Sequence, residues 1–195
     1  PSFGRADLEC AFAAAGVRIL EDTAITLSCG VRIVGRKDHL YTNGSRFTAA
    51  QLMPTGPDDR YTVWLDHEPR DFKNAAAAGA DLILIETMSD TYEIKAAVLA
   101  SKENCDLPIC VTMTFDEDGK LLTGATVEAA ALMCEGLGVD AIGFNCGLGP
   151  VQVGKLFPQM LAATSLPLII NPNAGLPVQR DGKTCFDVGP EEYAE

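Results

Sequence analysis

Four short apolar runs, at 81–86, 108–115, 140–146 and 167–171, recur roughly every 30 residues through the second part of the sequence. Each is rich in Ile, Leu, Val or Phe and is flanked by Pro, Gly or Asp. Strands that read as continuously apolar are buried on both faces, and parallel strands need crossovers of a dozen residues or more. The pattern therefore predicts successive βα units around a parallel sheet. Such units build either a doubly wound open sheet or an α/β barrel of the (β/α)8, TIM type. Both place chemistry at the carboxyl ends of the strands. Here those ends carry Glu86-Thr87, Thr114-Phe115, Asn145-Cys146 and Asn171-Pro172-Asn173, polar groups that packing alone does not require.

Helix signals lie between the runs. Asp90-Thr91-Tyr92-Glu93 has the spacing of a capping box, after which Ile94, Ala97, Val98 and Ser101 share one face. Thr126 is placed to cap a helix from Val127 to Leu137, with Gly138 as its stop. Pro150 suits the first turn of a third helix carrying Val153, Leu156, Phe157 and Met160, with a kink expected at Pro158. The alanines at 75–78 favour a helix before Gly79. In the first 65 residues, Ala11 to Leu20 has helical composition and Ile25 to Val34 strand-like content. Arg36 to Arg60 is polar and without period.

With 195 residues, 47% of them hydrophobic and 22% charged, the chain has the size of a single domain spanning 1–195 and can bury a core. A net charge of −12 repels phosphate backbones and anionic lipid, which argues against nucleic acid and membrane partners. No apolar stretch reaches the roughly 18 residues of a spanning helix, and no signal peptide is evident at the start. Seven cysteines, an odd number without a CxxC pair, fit a reducing cytoplasm better than a disulfide framework. With only His39 and His67 available, a soft metal would lean on thiolates. The chain begins at Pro1 rather than Met, as a fragment or a processed form would.

The stretch from Gly143 to Pro150 leads a strand through Asn145, Cys146 and two glycines into a helix. The glycines would admit a ligand close to the backbone, and a cysteine near a helix start is favoured as a thiolate ligand or nucleophile. The plainer alternative is a buried cysteine in a tight turn. Gln152 stands where a dinucleotide fingerprint needs its third glycine, which excludes that motif. Glu86 follows four apolar residues, where a carboxylate needs a cation or several donors. It could hold a substrate ammonium, or be a strand-end acid that reaches solvent or caps the turn at Ser89-Asp90. The loop from Asn171 to Pro177 offers amides to a ligand or forms an ordinary turn. Asp116 to Gly119 and Asp181-Gly182 read as hairpin turns rather than calcium loops. Cys105, Cys110 and Cys134 suit structural positions, and Cys185, in a loop-like segment, is the one further thiol to check near the site.

Gly143-Phe144-Asn145-Cys146-Gly147, preceded by Ile85-Glu86-Thr87-Met88 and followed by Asn171-Pro172-Asn173-Ala174-Gly175, resembles the homocysteine S-methyltransferase family. The likeness runs almost continuously from Ala75 to Glu195, taking in Thr112-Met113-Thr114-Phe115, Gly119 and Thr123-Gly124. Before about Asp71 it thins to Phe3-Gly4-Arg5 and the segment from Gln51 to Gly56. The resemblance implies a (β/α)8 barrel that is incomplete in this chain, with 1–65 poorly matched and the final strand missing. It implies Glu86 as the acid that holds the homocysteine amino group, Thr87, Asn145 and Asn173 around the substrate, and Cys146 as the first ligand of a zinc. The other two zinc ligands of the family are an adjacent Cys-Cys pair, which this sequence lacks and which would lie beyond it. Zinc would hold the substrate sulfur as a thiolate for attack on a methyl group. Cobalamin and methyl-folate would belong to further domains or to a corrinoid partner. The implied reaction gives methionine from homocysteine, in the cytoplasm. The alternative is a non-catalytic ligand-binding or interaction module built from a partial barrel. A Schiff-base barrel enzyme ranks behind both, since no strand end carries a lysine.

Overall fold

The computed structural model describes residues 5–37, 47–53, 59–66, 72–77, 79–180 and 182–194. His39, His67, Phe3, Gly4, Asp181 and positions 54–56 and 78 lie outside the described residues. The chain divides into two compact units, Pro1–Asp81 and Leu82–Glu195.

The first unit contains α1 (Arg5–Ala14), β1 (Thr23–Thr26), β2 (Arg32–Gly35), α2 (Ala49–Leu52), β3 (Thr62–Leu65) and α3 (Phe72–Ala77). Its sheet has the order β1-β2-β3, with β1 and β2 antiparallel and β3 parallel to β2. Two expectations are corrected here. The helix lies at 5–14 instead of 11–20, ending before Gly16. Ile25 to Val34 is not one strand but parts of two, because the chain reverses at Gly30, which takes φ +90 and donates its N–H to Leu27 O at 2.9 Å. Just past the ends of β2 and β3, Arg36 Nη1 meets Asp66 Oδ2 at 3.0 Å with both side chains buried, and the guanidinium lies 5.6 Å from the Trp64 ring centroid. This ion pair joins two neighbouring strand ends.

The second unit contains β4 (Ile83–Met88), α4 (Thr91–Asn104), β5 (Ile109–Met113), α5 (Val127–Gly136), β6 (Ala141–Asn145), α6 (Pro150–Ala163), β7 (Leu168–Asn171), β8 (Pro177–Arg180), β9 (Lys183–Phe186) and α7 (Pro190–Ala194). Each of the four apolar runs supplies one parallel strand, and the sheet order is β4-β5-β6-β7. Crossovers between parallel strands are right-handed, so a strand order that never reverses puts every connecting helix on one face. That is the winding of a (β/α)8 barrel and not of a doubly wound sheet, which needs a reversal.

Burial agrees with this winding. Ile83 and Ile85 pair in register with Ile109 and Val111, and Val111 with Ile142, so these side chains share a face. All are buried, as are Ile94 and Val98 of α4, Val127, Ala130 and Cys134 of α5, and Val153, Leu156 and Met160 of α6. The opposite face carries Leu84 and Glu86 of β4, both exposed, with Cys110, Thr112, Gly143 and Asn145 in the same alternation. At the amino end of the sheet, Asp140 Oδ2 accepts the Ile109 N–H at 2.7 Å. Among the described residues no helix is long and apolar enough to cross a membrane.

The predicted helix signals work as capping devices. Asp90 accepts from the N–H groups of Tyr92 and Glu93 at 2.7 and 3.0 Å, and Thr126 Oγ1 accepts from Ala129 N at 3.2 Å. Gly138 follows α5 at φ +70, with its carbonyl taking Lys102 Nζ at 2.8 Å. Helix α6 runs on through Pro158 to Ala163. Since Asp90 satisfies two otherwise orphaned amides, Asp90→Ala should destabilise the second unit by about 1–2 kcal/mol, read as a lower urea midpoint with an unchanged slope.

Candidate functional site at the strand ends

The site grows out of one buried amide. Asn145, the last residue of β6, is 3% exposed. Its Oδ1 accepts the Thr87 N–H at 3.0 Å, and its Nδ2 donates to Thr87 Oγ1 at 2.6 Å and approaches Cys146 Sγ at 3.5 Å. It thus reaches across β5 and links the carboxyl ends of β4 and β6. Thr114, following β5, joins them by donating its hydroxyl to the Asn145 carbonyl at 3.0 Å.

Two residues here have left-handed backbones, Thr87 at φ +61 and Cys146 at φ +54. For a β-branched residue such as Thr87 that conformation costs on the order of 1–3 kcal/mol and persists only where neighbours enforce it. The two hydrogen bonds with Asn145, one accepted and one donated by its amide, do so. The pairing of β4 with β5 also shifts register between Ile85 and Met88. This bulge breaks the strict alternation, so that Thr87 reaches Asn145 on the same open face that Glu86 occupies by its alternation with Leu84.

Glu86 is exposed, and its carboxylate has no hydrogen-bond or ion-pair partner among the described residues. The carboxylate reaches solvent, which agrees with the plainer reading of a strand-end acid and spares it the desolvation cost expected after four apolar residues. It does not cap the turn at Ser89-Asp90. Cys146 is exposed as well, not a cysteine buried in a tight turn. Its N–H donates to Asn171 O at 3.2 Å, and Asn173 N–H donates to Leu148 O at 2.9 Å. The loop after β7 is thereby pinned against the loop after β6, which brings Asn173 beside the turn that carries Cys146.

Gly147 and Gly149 have a packing role that the sequence does not display. A Cβ at Gly147 would lie 2.7 Å from Thr114 Cγ2, and one at Gly149 would lie 2.8 Å from Gly175 Cα. Cys185 belongs to strand β9, where it pairs with Val178, and not to a loop. Strands β8 and β9, on either side of positions 181–182, pair antiparallel, with Arg180 opposite Lys183. Thr114, one of the strand-end residues named from the sequence, is tied into the site by its bond to the Asn145 carbonyl.

Among the described residues no group of three or more His, Cys, Asp and Glu could hold a metal ion. Cys146 supplies one thiol at this end of the sheet, and one thiolate does not hold a zinc. The described residues therefore do not fit the implied zinc by themselves.

Environment separates the thiols. Burial pushes Cys134 up to about 11, and burial followed by the nearby Asp140 carboxylate raises Cys110. Iodoacetamide at pH 8 should modify exposed Cys146 more than about 100-fold faster than Cys134, which ionises only as pH climbs toward its raised value. Peptide mapping by mass spectrometry reads this directly.

This chain is similar to known proteins. The methionine synthases of Mycobacterium leprae and Mycobacterium tuberculosis are each 33% identical to it over 160 residues, 80% of this chain. The chain corresponds to only 13% of the length of those relatives. Among solved structures, the apo homocysteine methyltransferase MmuM from Escherichia coli matches with a TM-score of 0.48 and 20% identity, over 88% of this chain and 56% of that one. The sequence model described as Homocysteine S-methyltransferase matches residues 22–195, and on that match the chain belongs to the homocysteine S-methyltransferase family.

Proposed function

We propose that this chain binds homocysteine at the carboxyl ends of β4 to β7 and presents its sulfur for methylation to methionine. The observation that carries the proposal is the Asn145 bridge, which joins Thr87, the neighbour of Glu86, and the Cys146 thiol through one side-chain amide. Glu86, exposed and unpartnered among the described residues, is suited to the substrate ammonium. Thr87, next to it in the chain, and Asn173, on the loop after β7, are the proposed further polar contacts to the substrate.

In this reading the chain's residues bind and orient. Holding the amino acid head at Glu86 fixes where the side-chain sulfur lies, which lowers the entropic part of the barrier to in-line attack. Cys146 is the residue here that a thiophilic metal would use, together with ligands beyond the described residues. A corrinoid or methyl-folate domain is the proposed source of the methyl group, by analogy with the longer methionine synthase relatives, and the cytoplasm is the proposed setting.

Incubating the intact protein with homocysteine and, in parallel, methylcobalamin, methyl-folate or S-methylmethionine should yield methionine by mass spectrometry with at least one donor. Failure to bind homocysteine, together with no methionine from any donor, would overturn the proposal.

A further inference from the structure

The Asn145 bridge fixes the direction of a proton. A backbone N–H can only donate, so the atom of Asn145 facing Thr87 N at 3.0 Å must be the amide oxygen. The amide nitrogen then faces Thr87 Oγ1 at 2.6 Å and Cys146 Sγ at 3.5 Å, which engages both of its protons. The orientation follows from the backbone donor and needs no choice between flipped amides. Two consequences arise. Asn145, buried and with no donor left over, cannot donate to a substrate. Thr87 Oγ1 must accept from Asn145, so its own proton points elsewhere. Among the described residues no acceptor takes that proton, and Thr87 is exposed.

Resting on the homocysteine reading above, we propose that Thr87 donates its hydroxyl proton to the substrate carboxylate while Glu86, beside it on the open face, takes the ammonium. Asn145 is then a positioning residue that sets the polarity of the Thr87 hydroxyl without touching the substrate. The bulge and the left-handed backbone at Thr87 serve this arrangement, since in a regular strand two consecutive side chains would point to opposite faces. An α-amino acid head carries its two charges on one carbon, and adjacent residues of opposite hydrogen-bonding character match it.

The test is calorimetry on the intact protein with two probes, homocysteine and 3-aminopropane-1-thiol, which keeps the amine and the thiol but lacks the carboxylate. Thr87→Val should weaken homocysteine binding about tenfold or more, the loss expected for a hydrogen bond to a charged group, and leave 3-aminopropane-1-thiol unchanged. Thr87→Ser should bind homocysteine like the parent. Thr87→Gly, which suits the left-handed backbone and lacks the hydroxyl, should repeat the Thr87→Val result if that variant folds poorly. Asn145→Asp accepts from both the Thr87 N–H and its hydroxyl, turning the proton inward, so it should weaken homocysteine binding to a similar extent. Adding Thr87→Val to Asn145→Asp should then cost nothing more. Equal losses for both probes in Thr87→Val, or none, would overturn the proposal. So would losses that multiply in the double variant, because the carboxylate introduced by Asn145→Asp would then act through its own charge. A parent protein that binds neither probe would instead overturn the homocysteine reading, and this inference with it.

Discussion

Gly143→Ala should abolish the folded second unit. Gly143 sits in the middle of β6, in register with Thr112 on one side and Ile169 on the other. A Cβ built there would run into the carbonyl group of Ile169, which is backbone and cannot rotate away. Relief requires separating β6 from β7, and with them the loop contacts from Cys146 to Asn171 and from Asn173 to Leu148. The expected loss is at least about 3 kcal/mol, seen as insoluble protein or a collapsed denaturation midpoint. Gly154→Ala is the matched control. Position 154 is exposed within α6 with nothing within 4 Å of an added Cβ, so that change should stabilise by about 0.5–1 kcal/mol. A mild effect at Gly143 would mean that β6 and β7 are not paired as described.

Glu86→Gln should cut kcat/KM for homocysteine by about 100-fold while leaving the denaturation midpoint unchanged. The substitution keeps the shape and removes the charge, so a paired ammonium loses a charge-assisted hydrogen bond. Because the carboxylate is exposed and unpartnered among the described residues, the fold has nothing to lose with it. The control substrate is 4-mercaptobutanoate, which keeps the thiol and carboxylate but has no ammonium. Its binding, measured by calorimetry, should not fall in Glu86→Gln. An unaltered kcat/KM for homocysteine would remove Glu86 from the site.

The second unit was legible because its signals are local and mutually consistent. Strands β4 to β7 show as apolar runs, with Asp90, Thr126 and Pro150 marking the starts of α4, α5 and α6. The first unit was not, because its strands have only four residues each and β1 and β3 alternate between partly buried and exposed positions. A turn at Gly30 also split a continuous apolar stretch there. At the site, the strand-end rule found Glu86, Thr87, Asn145 and Cys146 as candidates but not their geometry. A left-handed Thr87 contradicts its own propensity and is held by a residue 58 positions away, which no window of sequence displays. The packing role of Gly147 and Gly149 was hidden for a related reason. A glycine forced by a neighbouring backbone or threonine looks the same in sequence as one that makes room for a ligand.

The parallel sheet is stapled at opposite ends by two different side chains, Asp140 to the Ile109 amide below and Asn145 to Thr87 above. Each staple involves β6, yet they act at opposite ends of it. Engineering for heat tolerance can therefore concentrate on the lower rim, where a tighter fastening leaves intact the polarity of the rim proposed to bind substrate. Directed changes of acceptor preference have the converse freedom, and the two programmes can be combined in one gene.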